Sequence, residues 1–191
     1  MQSIVPCIWF DHTAQQAAEF YTSVFPSGRI IDIQRYPTEG LPDFQAEMAG
    51  QPLVVQFELA GYEFTGINAG PEFQVNPSIS FLLNFDPSVD PDAKQHLDRL
   101  WAALSDGGTA LMPLASYPFS PHYGWIADRY GVSWQLMLTD PAGDRRPFIT
   151  PSLLFGQTNQ GRAAEAIDRY TSLFNGAVGT MVPQPDTAGP V

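Results

Sequence analysis

Residues 1–140 read as a strand, a helix and three strands, and then as the same series again, which predicts an α+β protein of two tandem βαβββ units. Three observations carry that reading. Leu53, Val55, Phe57 and Leu59 recur at every second position, as on a half-buried strand. Leu97, Leu100, Trp101 and Leu104 recur at helical spacing. The opening segment also returns near the end, so the chain is organised by repetition.

In the first unit, Ile4 to Phe10 is apolar and partly β-branched, a largely buried strand closed by Asp11-His12. Thr13 and Gln16 have capping-box spacing, and Ala14, Ala17, Ala18, Tyr21, Val24 and Phe25 form one helical face, ended by Pro26-Ser27-Gly28. Arg29 to Tyr36 is a second strand, followed by a polar loop through Gly50. Strand three spans Leu53 to Leu59, and Ala60-Gly61 turns the chain into a fourth strand over Tyr62 to Asn68.

The second unit opens with a strand over Ser78 to Asn84, and Asp90-Pro91 begins a helix as N-cap and N1. Gly107 sits where a left-handed residue ends that helix. Strands are expected at Thr109 to Leu114, Tyr123 to Asp128 and Val132 to Leu138, the last two joined as a hairpin through Arg129-Tyr130-Gly131. The aromatic, proline-rich stretch Leu114 to Tyr123 is expected as a structured loop.

Residues 141–148 form a short polar linker, after which Ile149-Thr150-Pro151-Ser152-Leu153-Leu154-Phe155 parallels Ile4-Val5-Pro6-Cys7-Ile8-Trp9-Phe10 at an offset of 145. Tyr170-Thr171-Ser172-Leu173-Phe174 then parallels Tyr21-Thr22-Ser23-Val24-Phe25 at an offset of 149, so four extra residues enter the intervening turn. Residues 149–191 are thus expected to begin a second, repeated domain that they do not finish. Too small to bury their own apolar faces, they must dock on something or belong to a longer chain.

Composition excludes several functions. A net charge of −11 with only nine Lys and Arg leaves no basic surface for nucleic acid or anionic lipid. No apolar run approaches the ~18 residues of a membrane span, and the N-terminus lacks a secretory signal, so a cytoplasmic protein is expected. The single cysteine, Cys7, permits no internal disulfide.

Tandem βαβββ units resemble the glyoxalase and bleomycin-resistance (vicinal-oxygen-chelate) superfamily. Specific stretches resemble its PhnB-like branch: Ile4-Val5-Pro6 with Trp9-Phe10, Glu19 to Pro26, Phe64 to Pro71, and Tyr123 to Gln135. The resemblance covers residues 1–140 and implies a cupped mixed sheet with helices outside, a small-molecule ligand and a homodimer. Such proteins are labelled 3-demethylubiquinone-9 3-methyltransferase-like, yet no glycine-rich strand-to-helix loop for S-adenosylmethionine is present; Gly107-Gly108 reads as a helix end.

The resemblance places metal ligands of the superfamily at Pro6 or Cys7, near Phe64, at Ser78 and at Gln135, a set that cannot hold a divalent ion. His12, His96 and His122 share no ligand spacing. No metal or other cofactor is therefore expected. Within the implied cavity, Asn68 and Gln135 are the polar candidates and Phe64 and Trp125 the apolar walls, with Ser133, Gln135 and Met137 on the cavity face of the last strand. No catalytic residues emerge: Ser116 and Ser120 near His122 lack an acidic orienter. The first reading is a metal-independent small-molecule-binding protein, and the alternative is a vicinal-oxygen-chelate enzyme or a methyltransferase.

Overall fold

The computed structural model describes residues 4–178, which divide into two compact units, one ending at Leu153 and the other beginning at Leu154. In the first, β1 (Cys7–Asp11), α1 (Ala14–Val24), β2 (Arg29–Arg35), β3 (Pro52–Leu59) and β4 (Tyr62–Ala69) form the first βαβββ series. The second follows as β5 (Ile79–Phe85), α2 (Ala93–Ser105), β6 (Thr109–Tyr117), β7 (Ser120–Ala127) and β8 (Ser133–Leu138), and then β9 (Ile149–Leu153). The sheets are separate: a four-stranded sheet in the order β1-β4-β3-β2 and a five-stranded one in the order β6-β7-β8-β5-β9. In each, the first strand of the βαβββ series pairs in parallel with the last, which requires the helix as crossover.

Alternation decides which face of each strand meets a helix. Val55, Phe57 and Leu59 of β3 and Phe64 of β4 are at most 1% exposed and face α1, whose Ala14, Ala17, Ala18 and Tyr21 are fully buried. Small alanines let the helix backbone approach the sheet, and the Tyr21 ring stacks on Phe57 at 6.0 Å. Phe81, Leu83, Trp134 and Leu136 do the same for α2, and Phe64 meets Phe81 at 5.0 Å, so both helix-side faces share one core. The helices cover one face of each sheet and leave the other open.

A buried carboxylate ties the two series together. Asp128, at the end of β7, accepts the Tyr21 hydroxyl at 2.7 Å and the Trp134 indole N–H at 2.8 Å on one oxygen. Its other oxygen accepts the N–H groups of Tyr130 and Val132, closing the β7–β8 turn around left-handed Gly131. Burial holds the Asp128 carboxyl above its ordinary range against the pull of these donors, and burial with the neighbouring carboxylate holds the Tyr21 phenol well above its own.

Three local expectations are corrected. Thr13 makes no side-chain cap; the N–H of Ala14 is satisfied instead by Asn68 Oδ1 at 2.9 Å, from a strand 54 residues on. The second helix starts at Ala93 after Asp92, because Asp90-Pro91 form a turn in which Asp90 accepts the N–H of Asp92. Residues 114–123 are a continuation of the β6–β7 hairpin rather than a loop, with Tyr117 opposite Ser120. Pro113 is tolerated there because β6 is an edge strand whose pairing slips at three bulges. Gly107 does end α2 in the left-handed region.

β9 joins the first unit by antiparallel pairing with β5 from Leu83–Ile149 to Ile79–Leu153. The other unit holds a short 3-10 turn (Gln157–Asn159) and α3 (Ala163–Phe174), none of whose residues is buried. Among the described residues no helix is long and apolar enough to cross a membrane.

Candidate functional site

The open face of the five-stranded sheet is the candidate site. Across it, Trp125 stands opposite Gln135, Gln135 beside Leu82, and Leu82 opposite Thr150. A second row runs from Ser133 past Ser80 to Ser152. Side chains on this face bond to one another. The Tyr123 hydroxyl donates to Gln135 Oε1 at 2.7 Å, and Gln135 Nε2 donates to Ser80 Oγ at 2.7 Å. The Trp125 indole N–H donates to Ser133 Oγ at 2.7 Å. Fixed in this way, Gln135 keeps a second amide proton and a second lone pair for a bound molecule.

An aromatic group flanks these polar residues. Tyr117 stacks on Phe119 at 5.6 Å, and both meet the Tyr123 ring edge-on, Phe119 at 4.9 Å. Phe119 is 60% exposed at the hairpin tip. Burial, with Tyr117 nearby, pushes the Tyr123 phenol up to about 12, so at neutral pH it is a fixed neutral donor and not a base.

The four residues singled out in the sequence do not come together. Trp125 and Gln135 face each other across β7 and β8 on the open side. Phe64 and Asn68 lie on the helix side of β4: Phe64 is packed between Phe57, Phe81 and Trp134, and Asn68 caps α1 while its amide donates to Pro52 O at 2.9 Å. A Cβ at Gly66, between them, would lie 3.2 Å from the Phe10 ring, which marks how closely that face is packed. Neither Phe64 nor Asn68 lines the open face. Tyr123 and Ser80, which do, were within reach of the alternation that placed Gln135, two residues from Trp125 in one case and beside Ile79 in the other.

Of the ligand positions implied by the superfamily, Pro6 gives way to Cys7 and Phe64 to Thr65, Ser78 gives way to Ser80 two residues on, and Gln135 keeps its place. On the open faces Cys7 thus pairs with Thr65 on the four-stranded sheet, and Ser80 with Gln135 on the other. Desolvation raises the Cys7 thiol, and two hydroxyls and an amide make weak donors. This set does not fit a divalent ion, and no cluster of three His, Cys, Asp or Glu suited to a metal occurs among the described residues. Neither of the strand-to-helix turns that lead into α1 and α2, residues 12–13 and 86–92, contains a glycine, so neither offers the backbone cradle of a nucleotide-type cofactor loop. His122 does have an acidic partner, Asp98 at 2.5 Å, contrary to expectation, but Ser120 Oγ donates to the carbonyls of Leu138 and His122, and no nucleophile–base pair results.

Among the described residues, two further cavities lie away from this face. The larger, about 850 Å³, sits between the end of α1, the end of β5 and α2, with Phe25, Phe85, Leu100 and Phe148 as its apolar lining. The smaller, about 570 Å³, is lined by Trp9, Phe73, Arg129 and Tyr130.

Tandem βαβββ series with an uncovered sheet face define the glyoxalase and bleomycin-resistance fold, here as two mixed sheets and no closed barrel. The chain belongs to the family described as 3-demethylubiquinone-9 3-methyltransferase, whose model matches residues 2–137. A PhnB protein from Bacillus cereus is 34% identical over 72% of this chain and 100% of that one, with a TM-score of 0.62. Protein PA1353 from Pseudomonas aeruginosa shares the fold at 21% identity, 72% and 98% coverage and a TM-score of 0.58. No curated protein matches. At the level of the family, this membership supports small-molecule binding or vicinal-oxygen-chelate-type chemistry.

Proposed function

We propose that this chain is a metal-independent, cytoplasmic small-molecule-binding protein whose ligand lies on the open face of the five-stranded sheet. The observation that carries the reading is the bonded row Tyr123–Gln135–Ser80 beside Trp125, on the face of the sheet turned away from α1 and α2. Aromatic walls with one oriented amide suit a flat molecule carrying a hydroxyl or carbonyl group. The net charge of −11 disfavours nucleic acid and anionic membranes as partners.

A homodimer, the usual state implied by the superfamily, fits best at the four-stranded sheet. Its edge strand β1 pairs only with β4 among the described residues, whereas the matching edge of β5 is already taken by β9. Light scattering at micromolar concentration checks it, and a monomer contradicts it.

The family description favours a second reading, a methyltransferase or a vicinal-oxygen-chelate enzyme. Calorimetry with S-adenosylmethionine and metal analysis of the purified protein separate the two. The binding reading expects no heat of binding and no stoichiometric divalent ion; either one contradicts it. For the site itself, binding of the planar phenol 1-naphthol should weaken at least tenfold in Trp125→Ala and stay unchanged in a variant of the smaller cavity, Phe73→Ala.

A further inference from the structure

We propose that the larger cavity of the first unit is a second ligand site, suited to an aliphatic monocarboxylate of the fatty-acid class. Its lining shares none of Trp125, Gln135, Tyr123 and Ser80, so it stands apart from the binding role placed on the open sheet face.

The cavity, about 850 Å³, has the size of a small-molecule site, and the sequence gives its walls their shape. Pro26 forces the residue before it out of the helical region, so Phe25 ends α1 in an extended conformation with φ −85° and ψ 150°. In α2, His96, Arg99, Leu100 and Ala103 are spaced i, i+3, i+4 and i+7, and this one helical stripe borders the cavity. At the end of β5, Phe85 continues the helix-side row of Phe81 and Leu83 and meets Phe148 at 5.2 Å.

These residues make an apolar floor. Phe25, Phe85 and Leu100 are at most 6% exposed. The Phe85 and Phe148 rings stand at 84° to each other, so they form no parallel-walled slot for a flat molecule. A flexible hydrocarbon chain can follow such a floor.

The rim carries charge of one sign in excess. In a chain of net charge −11, three of the nine Lys and Arg border this one cavity: Arg99, Arg145 and Arg146. Arg145-Arg146 is also the only place in the sequence where two basic residues adjoin. Arg29, Lys94, Arg129 and Arg162 are each paired with a carboxylate, whereas Arg99, Arg145 and Arg146 take part in no ion pair among the described residues. The two carboxylates of the cavity are engaged elsewhere. Asp86 accepts the N–H of Ser88 at 2.8 Å, and Asp90 accepts the N–H of Asp92 at 3.0 Å and holds His96.

Three guanidiniums against two carboxylates leave at least one positive charge over. A monoanion matches that excess, whereas a dianionic phosphate ester would also meet Asp86 and Asp90. A guanidinium fork accepts a carboxylate with two parallel hydrogen bonds, and here it stands beside an apolar floor. Head group and chain of a fatty acid are thus served together.

The test titrates decanoate into the isotope-labelled full chain and follows the backbone amide signals by NMR. Shifts should centre on Leu100, Ala103 and Phe148, with Trp125 and Gln135 unmoved. Decanol, the same chain without the charge, should bind about tenfold more weakly. The double variant Arg145→Ala with Arg146→Ala should lose about tenfold in affinity for decanoate and less than about twofold for decanol. Both side chains are exposed, so its melting should match that of the unaltered chain. Absence of binding, equal affinity for decanoate and decanol, or unchanged affinity for decanoate in the double variant overturns the proposal. Shifts centred on Trp125 overturn it as well, and tighter binding of decyl phosphate than of decanoate overturns the choice of a monoanion. None of these outcomes bears on 1-naphthol at Trp125, so the two sites fail or stand separately.

Discussion

Phe64 and Asn68 on one hand and Trp125 and Gln135 on the other occupy strands with the same two-residue periodicity, yet they do opposite jobs. The first pair faces the helices, one residue filling the core and the other capping α1; the second pair faces away, where nothing from the first unit covers it. The difference shows that the choice of strand face, more than residue type, separates stability from binding in this fold. An asparagine satisfied by Ala14 and Pro52 has little left to offer a ligand, while a glutamine held by Tyr123 and Ser80 still has.

Substitutions on the two faces should therefore part company. Phe64→Ala empties a position touched by Phe57, Phe81 and Trp134 and should cost about 3–5 kcal/mol in urea denaturation. A cost below about 1 kcal/mol would place Phe64 outside the core. Asn68→Ala removes the acceptor for Ala14 and the donor to Pro52, and about 1–3 kcal/mol should be lost by the same measurement. Gln135→Ala should cost only about 1 kcal/mol, yet weaken 1-naphthol binding about tenfold.

The smallest effect is a slope. With its phenol held up at about 12, Tyr123 keeps its proton in the folded chain at pH values where the unfolded chain, near its ordinary value of 10.0, has lost it. The folded state binds more protons in that window, so stability falls as pH rises from 10 toward 12. Tyr123→Phe should make that fall shallower without abolishing it, because Tyr21 is raised as well. Denaturant midpoints at pH 9, 10 and 11 read the slope directly.

Most elements were legible because their signals are local. The helical face of Leu97, Leu100 and Leu104, the two-residue row of Val55, Phe57 and Leu59, and the left-handed Gly107 each carry their own evidence. In β4 the signal is divided: Phe64, Gly66 and Asn68 alternate with Glu63, Thr65 and Ile67, and each set mixes apolar with polar groups, so sequence does not say which one meets the helix. The answer lies in Phe57 pairing with Phe64 and in Asn68 reaching Ala14, contacts between strands and across 54 residues. Asp128 was illegible for the same reason, since its role depends on Tyr21, 107 residues away. The last strand needed no such knowledge. Trp134 and Leu136 are so much more apolar than Ser133 and Gln135 that alternation alone sorted them.

The claim that binding belongs to the open face of the five-stranded sheet is tested most directly by titrating 1-naphthol into the labelled protein and following its four indole N–H signals by NMR. Trp125 should shift, together with the Gln135 side-chain amide, while Trp134, fully buried against Asp128, stays in place. Shifts centred on Trp9, or on Arg99 and Phe148 of the larger cavity, with Trp125 unmoved, would contradict it.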